Sequence, residues 1–127
     1  MGGKVEVRGL DKILARMETL SKRFPATVLR AVTAEAQVIM RESVRLCPVD
    51  TGRLRASAYV KPADSGKPQV VLGYGAEYAL AVHERTEVHH ENGTQAKFLS
   101  TPIDAHRSTF VRDVLSRVDE KLGEMSK

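Results

Sequence analysis

The amino-acid sequence predicts an α+β fold, in which long helices pack on one face of a small antiparallel sheet and an amphipathic helix ends the chain. Apolar residues recur at helical spacing near both ends, whereas β-favouring residues dominate the middle. Aromatic residues make up only 5% of the 127 residues, and tryptophan is absent. The core must therefore be built mostly from aliphatic side chains, which favours helix packing over an aromatic-rich barrel.

Two helices are predicted in the first part of the chain. Residues 1–9 include an alternating stretch that we expect to form an edge strand or a flexible arm. Over residues 10–20 the apolar spacing predicts an amphipathic helix of about three turns. Pro25 suits the first turn of a second helix, because proline has no amide hydrogen to leave unpaired there. We expect that helix to reach about Leu46 and to end at Cys47-Pro48.

The middle of the chain has a different pattern. Two β-favouring runs, Ala58–Lys61 and Gln69–Tyr74, are separated by a stretch rich in proline, glycine and serine. This order predicts an antiparallel hairpin with a loose loop. Residues 77–83 fit either another strand or a short helix, and we predict the helix. Residues 84–96 combine histidines and acidic residues with Asn92-Gly93, which is typical of a polar surface loop.

A single amphipathic helix is predicted at the end of the chain. It begins at Thr101-Pro102 and carries apolar residues on one face as far as Leu122, and we expect a frayed tail from Gly123. A chain of 127 residues has room for one modest core. We therefore expect residues 1–127 to form a single domain.

The charge is unevenly distributed along the chain. The net charge is +4, but residues 1–62 carry 12 basic and 6 acidic residues (net +6), whereas residues 63–127 carry 8 and 10 (net −2). A basic surface attracts nucleic acid. Most of these basic residues alternate with apolar helical positions, however, which favours solvated helix faces; contact with DNA and complementary contacts between neighbouring subunits remain the alternatives.

The sequence also indicates where the protein works. No apolar stretch of signal-peptide length follows Met1, and no run approaches the roughly 18 residues of a membrane span, so we expect the protein to be made and used in the cytoplasm without membrane association. Cys47 is the single cysteine, which excludes an internal disulfide and a multi-cysteine metal site. We expect its side chain to be buried at a helix end.

Enzymatic motifs are incomplete. His83-Glu84 would need a second histidine four residues after the first to bind zinc as a protease does, but position 87 is Glu87. A looser metal site in the loop would draw on His83, Glu84, Glu87, His89 and His90. Possible nucleophiles lack an activating sequence around them, and Gly73-Tyr74-Gly75 lacks the remaining residues of a phosphate loop. We therefore predict no catalytic residues, no metal and no cofactor.

The most informative segment joins the long helix to the sheet. It reads CPVDTGRLRAS from Cys47 to Ser57. Asp50 can cap backbone amides, Gly52 permits a tight turn, and Arg53 and Arg55 place positive charge beside the sheet. Either the arginines are merely solvated, or they pair with acidic residues of a neighbouring subunit, such as Glu77 or Glu84.

This segment is one of six features that occur in a characteristic order. The others are the opening Val7–Asp11, the long alanine-rich helix, the stretches Gly73–Ala79 and Val82–Glu84, and the stretch Ala96–Pro102 that opens the last helix. Together they resemble the phage tail-component family typified by the gene-ten product of the lambdoid phage HK97, over nearly the whole chain. The resemblance implies a structural virion protein made for assembly rather than for catalysis.

The resemblance further implies a homo-oligomeric ring, expected to be a hexamer, at the phage neck or the top of the tail. The ring would join tail to head, contact other neck and tail proteins, and let DNA pass without sequence-specific binding. The candidate subunit interface comprises Asp50, Thr51, Gly52, Arg53, Arg55, Glu77, Tyr78, His83 and Glu84. The candidate docking loop comprises Glu87, His89, His90 and Asn92.

Three other function classes compete with this interpretation. A DNA-binding regulator would use the basic N-terminal half and would show salt-sensitive duplex affinity, but no helix carries clustered base-reading residues. A hydrolase or metal enzyme would use the histidine cluster of residues 83–90. A toxin or antitoxin fits the small size, although no local motif favours it.

Overall fold

The computed structural model describes residues 10–49, 52–85 and 93–125, with side chains from residue 13 onward. Six helices and two strands occur in these ranges: α1 (Leu10–Arg23), α2 (Pro25–Leu46), α3 (Arg53–Ala56), β1 (Ala58–Pro62), β2 (Val70–Tyr74), α4 (Ala79–Glu84), α5 (Ser100–His106) and α6 (Phe110–Met125). The predicted α+β class is confirmed. Within these ranges, no helix combines the length and the apolar character that a membrane span requires.

The first two helices form as the sequence predicts. Phe24 separates them with a φ of −133°, and Pro25 occupies the first turn of α2. Proline is tolerated there because the first amides of a helix have no intrahelical acceptor. At the other end Cys47 is extended, with φ −66° and ψ 130°, because Pro48 disfavours helical geometry in the residue before it.

The larger core lies where α1, α2 and α6 meet. Its most deeply buried side chains are Val28 of α2 and Val114 and Val118 of α6, each at most 1% exposed. Leu20 contributes from α1. Burying aliphatic residues of this size stabilises a fold by about 1.5–3 kcal/mol each, so this three-helix contact positions the sheet and the shorter helices.

The sheet is a two-stranded antiparallel hairpin, as predicted. Val60 pairs with Leu72 and Ala58 with Tyr74, and these residues form the half-buried face toward α2. The opposite face carries Tyr59, which lies across from Gly73. A Cβ at Gly73 would lie 2.9 Å from the Tyr59 hydroxyl oxygen, so the missing side chain makes room for the tyrosine ring.

The predicted C-terminal amphipathic helix is present as α6, but its predicted start at Thr101-Pro102 is wrong, because a separate helix, α5, precedes it. α5 ends at His106, which hydrogen-bonds the Glu42 carboxylate of α2 at 2.9 Å. Just before α6, the Thr109 carbonyl oxygen accepts a hydrogen bond from the Asp113 amide at 2.9 Å. The break lets α5 and α6 contact different parts of α2. The predicted frayed tail from Gly123 is also wrong, since α6 continues to Met125.

Two connecting segments are more ordered than the sequence indicated. The segment after Gly52 forms the four-residue helix α3, which we had not predicted. At the end of the predicted polar loop, the Gln95 amide donates to the Leu46 carbonyl oxygen at 2.8 Å, and Ala96 is buried. Glu84 belongs to α4. The arm at residues 1–9 and positions 86–92 lie outside the described residues.

Candidate functional site

Three of the segments that carry the resemblance meet in one small core, which we call the motif cluster. It contains the buried residues Cys47, Leu54 and Phe98, with Tyr74 and Ala79 packed against them. Cys47 and Leu54 come from the segment Cys47–Ser57 between α2 and the sheet, which we call the joint. Tyr74 ends β2 and Ala79 begins α4, while Phe98 lies just before α5. Residues distant in sequence thus form one structural unit.

Phe98 is the centre of the motif cluster. It is 1% exposed and makes edge-on contacts with the rings of Tyr74 and His83, each with ring centroids 5.1 Å apart. The Tyr74 hydroxyl lies 2.7 Å from the Ser43 hydroxyl of α2. Aromatic pairs in this geometry contribute about 0.5–1.5 kcal/mol beyond area burial, so Phe98 ties β2 and α4 to the helices.

Burial suppresses ionisation in the motif cluster. It raises the pKa of the Cys47 thiol to about 11 and the pKa of Tyr74 to about 12. The thiolate is the nucleophilic form of cysteine. At neutral pH Cys47 is therefore a small apolar group, in agreement with the prediction that it is buried at a helix end.

In the joint, the side chain of Arg55 contacts backbone carbonyl oxygens of its own chain. Gly52 precedes α3 with a φ of 82°, a conformation that favours glycine. Arg55 then donates from Nε to the Cys47 carbonyl oxygen at 2.8 Å and from Nη2 to the Arg45 carbonyl oxygen at 3.1 Å. The last carbonyls of a helix have no partner within it. Arg55 thus caps the C-terminus of α2, a role that sequence reasoning missed.

An exposed surface covers the motif cluster. Leu80 is 72% exposed and Tyr78 is 38% exposed. The Arg53 guanidinium carbon lies 5.9 Å from the centroid of the Tyr78 ring, within the range of a cation–π contact. Glu77 and Glu84 are also exposed. We call these five residues the α4 surface; four of them belong to the predicted interface, and Leu80 is new.

His83 and Glu84 form a small network with Lys97. His83 Nε2 accepts the Ser100 amide at 3.2 Å, and His83 Nδ1 lies 3.0 Å from Glu84 Oε1. An amide only donates, so Nδ1 carries the proton that Glu84 accepts. Lys97 forms an ion pair with Glu84 and has a φ of 58°, which is rare for a residue with a side chain. The Lys97 hydrogen bond, followed by the His83 bond, lowers the pKa of Glu84.

Comparison with known proteins identifies the family. The family model for bacteriophage HK97-gp10, a tail component, matches residues 11–83. The chain belongs to this family. No curated protein and no solved structure matches the chain.

The match gives this tail component its broad function, a structural role in the phage tail, and places it in the virion with other tail proteins as partners. The matched residues include α1, α2, the joint, the sheet and most of α4. They end at His83. Phe98 therefore completes the motif cluster from outside the matched region.

Several predicted site residues of the tail component lie outside the described residues. These are Asp50 and Thr51 of the joint and all four residues of the candidate docking loop, Glu87, His89, His90 and Asn92. The structure brings Arg53 to Tyr78 and His83 to Glu84. The participation of all these residues in subunit or docking contacts stays a prediction.

A group of possible metal ligands occurs away from the motif cluster. Within the ranges described, Glu35, His106 and Asp113 place one ligand atom each within 4.8 Å of one another. Glu35, which is 7% exposed, accepts a hydrogen bond from Arg117 Nε at 2.5 Å, and His106 contacts the Glu42 carboxylate. Glu35 and His106 thus already have side-chain partners, whereas Asp113 has no ion pair among the described residues. In the tail component these two contacts connect α2 with α6 and with α5.

The tail component also has an apolar groove of about 710 Å³ between α2, β2 and α6. Its lining includes Val32, Leu72, Ile103 and Phe110. His106 and Arg107 also line the groove, and their side chains contact the carboxylates of Glu42 and Asp104, respectively.

Proposed function

We propose that the protein is a non-enzymatic subunit of a homo-oligomeric ring, a hexamer, at the neck or the top of the phage tail. The ring joins the tail to the head and surrounds the channel through which DNA leaves. Membership of a tail-component family supports this proposal. The finer assignment rests on the surfaces that the folded chain presents.

The observation that carries the proposal is the α4 surface. Leu80, on a six-residue helix, is 72% exposed, and the partly exposed ring of Tyr78 lies two residues before it. A contiguous exposed apolar patch rimmed by polar residues is typical of a protein contact. Here Leu80 and Tyr78 are flanked by Arg53 and Glu77, so the surface combines apolar area with charges of both signs.

Ring closure follows from a contact between different surfaces of adjacent copies. Heterologous contacts generate a closed ring when the rotation between neighbours divides the full turn evenly. In such a contact the α4 surface of one copy meets a different surface of its neighbour. The cation of Arg53 and the carboxylates of Glu77 and Glu84 then require complementary charges on that second surface. These charges set the orientation of neighbours, and the apolar side chains supply most of the binding energy.

The potential nucleophiles support a non-enzymatic role. Ser43 is fully buried and bonded to Tyr74, while the Ser57 hydroxyl donates to the Leu54 carbonyl oxygen at 2.6 Å. The Cys47 thiol is protonated at neutral pH because burial raises its pKa to about 11. Activation of a nucleophile requires an adjacent base that accepts its proton. None of these three side chains is hydrogen-bonded to such a base.

The substitution Leu80→Asp tests the proposal. A buried carboxylate without a partner is costly at an interface, so we expect the variant to remain folded but to lose ring formation and tail joining. Mass measurement by light scattering and in-vitro complementation of tail-less particles provide the readouts.

Met125→Asp is the matched control, because Met125 is 60% exposed at the far end of α6. We expect it to behave like the wild type. Rings of normal mass and full joining activity in Leu80→Asp would refute the role of the α4 surface.

A further inference from the structure

Helix α2 sorts its charged residues onto different faces. Glu35 and Glu42, seven residues apart, turn inward and contact Arg117 and His106. The three arginines of the helix, Arg30, Arg41 and Arg45, are all exposed. Their spacing of eleven and four residues places them on one side of a helix with 3.6 residues per turn. The solvent-facing side of α2 is therefore basic.

Among the described residues, these three arginines form no ion pair with a carboxylate. In the described parts of the chain no acidic oxygen lies within 4.0 Å of any of them, whereas Lys22, Arg107 and Lys121 each pair with a neighbour on their own helix or the turn after it. Like charges four residues apart, such as Arg41 and Arg45, destabilise a helix slightly. Within the described residues the stripe carries uncompensated positive charge, which makes it a candidate surface for an anionic partner.

A groove runs beside the stripe. It has a volume of about 650 Å³ and lies between α2 and β1, with Arg41, Arg45 and Tyr59 in its lining. Tyr59 is 37% exposed, and Lys61 Nζ lies 5.2 Å from the centroid of its ring. Arg30 and Lys61 lie outside the lining of this groove. We use the name basic groove for the groove residues Arg41, Arg45 and Tyr59 together with Arg30 and Lys61.

We propose that the basic groove binds the phosphate backbone of duplex DNA without reading its sequence. The arginines span 15 residues of helix, about 22 Å at 1.5 Å per residue, which corresponds to about six base-pair steps. Guanidinium groups bind phosphate oxygens in a bidentate manner. That this DNA is the phage genome rests on the proposed function. The assignment of the binding surface itself rests only on the positions of the arginines and the groove.

A second copy of the chain fits the basic groove less well. The described carboxylates without an ion pair are scattered: Asp64 and Glu77 lie in separate loops, and Asp113 and Glu120 lie on α6 with Arg117 between them. None of these arrangements forms a continuous acidic stripe about 22 Å long. A polyanion with regularly spaced charges matches the arginines better.

The triple variant R30Q/R41Q/R45Q tests the proposal. Binding to a fluorescent 30-base-pair duplex is measured by anisotropy across a range of salt concentrations, with two unrelated duplex sequences. Each neutralised phosphate contributes about −0.9 to the slope of log K against log salt. We expect wild-type protein to bind both duplexes equally, and the variant to lose at least tenfold in affinity and about 2.7 in slope.

The matched control is K22Q/R107Q/K121Q, which also removes three positive charges, but from residues that form ion pairs within the chain. We expect its affinity to stay within twofold of wild type. Equal losses in both variants, unchanged binding in R30Q/R41Q/R45Q, or a preference for one duplex sequence would overturn the proposal.

Ring mass and melting temperature are measured on the same samples. Loss of the ring in R30Q/R41Q/R45Q with DNA binding intact would assign the arginines to a subunit contact and would also overturn the proposal. DNA binding by protein that forms no ring would instead support the basic groove while contradicting the proposed ring. The two hypotheses can thus fail separately.

Discussion

Cys47 illustrates how position sets the chemistry of a single residue. The side chain has no exposed surface, and burial raises its thiol pKa to about 11. Its location at the end of α2 follows from Pro48, which stops the helix. Because the thiol is both inaccessible and protonated, Cys47 contributes packing to the motif cluster.

We predict that Cys47 is almost inert in the folded protein. At pH 8 a pKa of about 11 rather than 9.0 reduces the thiolate fraction roughly a hundredfold, and burial slows access further. Titration with a chromogenic disulfide reagent should give slow labelling of native protein and rapid labelling in denaturant. Labelling at the same rate in both states would contradict the burial of Cys47.

Stability should fall at alkaline pH. The unfolded chain loses the Cys47 proton near pH 9.0 and the Tyr74 proton near pH 10.0, whereas the folded chain holds them to about 11 and about 12. Both contributions are fully present below the unfolded values and disappear as pH rises through the folded values. Urea denaturation between pH 8 and pH 12 measures the decline.

The variant Cys47→Ala isolates the first step of this decline. We expect it to flatten the loss of stability between about pH 9 and pH 11 while leaving the later loss, which Tyr74 causes. An unfolding free energy that does not change up to pH 11 in the wild type would contradict the raised pKa values.

At the scale of elements, α2 is the helix on which the other elements depend. It contacts α6 through Ala31 and Glu35, α5 through Glu42, and β2 through Ser43. Its C-terminus is completed by Arg55 from α3. The joint therefore stabilises the fold through one arginine and presents the other, Arg53, at the surface.

The two arginines of the joint should respond differently to truncation. Arg55→Ala leaves two helix-end carbonyls without their charged donor, and hydrogen bonds to charged groups contribute about 1.5–3 kcal/mol each before solvent replaces them. We expect a loss of about 1–3 kcal/mol in the free energy of unfolding. Arg53→Ala should cost less than about 1 kcal/mol, since the residue is exposed.

Chemical denaturation of both variants checks this difference, and ring mass complements it. A larger loss of stability in Arg53→Ala than in Arg55→Ala would contradict the capping role. Loss of the ring in Arg53→Ala, with stability retained, would support its place in the α4 surface.

Elements defined by local sequence were predictable. Helices α1 and α2 follow from apolar spacing and Pro25, and the hairpin follows from its β-favouring runs. The break between α5 and α6 was not predictable, because His106 ends α5 at a hydrogen bond with Glu42, which is distant in sequence. Gly123 stayed helical because its position is exposed and uncrowded.

The candidate site was predictable to a smaller extent. The motifs located Arg53, Tyr78, His83 and Glu84, which the fold brings into two neighbouring pairs. The cap formed by Arg55 and the ion pair formed by Lys97 depend on tertiary contacts that no spacing rule describes. Assignment of these residues to a subunit contact remains a prediction.

At the scale of the whole molecule, two different surfaces are left for partners. The α4 surface is apolar with charges of both signs, and the basic groove contains arginines that form no ion pair among the described residues. A ring subunit around a DNA channel requires surfaces for its neighbouring copies and a separate surface for the polyanion inside. The arrangement of side chains is consistent with that division of roles.

Reconstruction of the neck and upper tail from intact phage particles tests the central claim most directly. The account predicts a closed ring of six copies in which Leu80 and Tyr78 are buried against the adjacent copy. Absence of the protein from finished particles, or a position in which the α4 surface faces solvent, would contradict it.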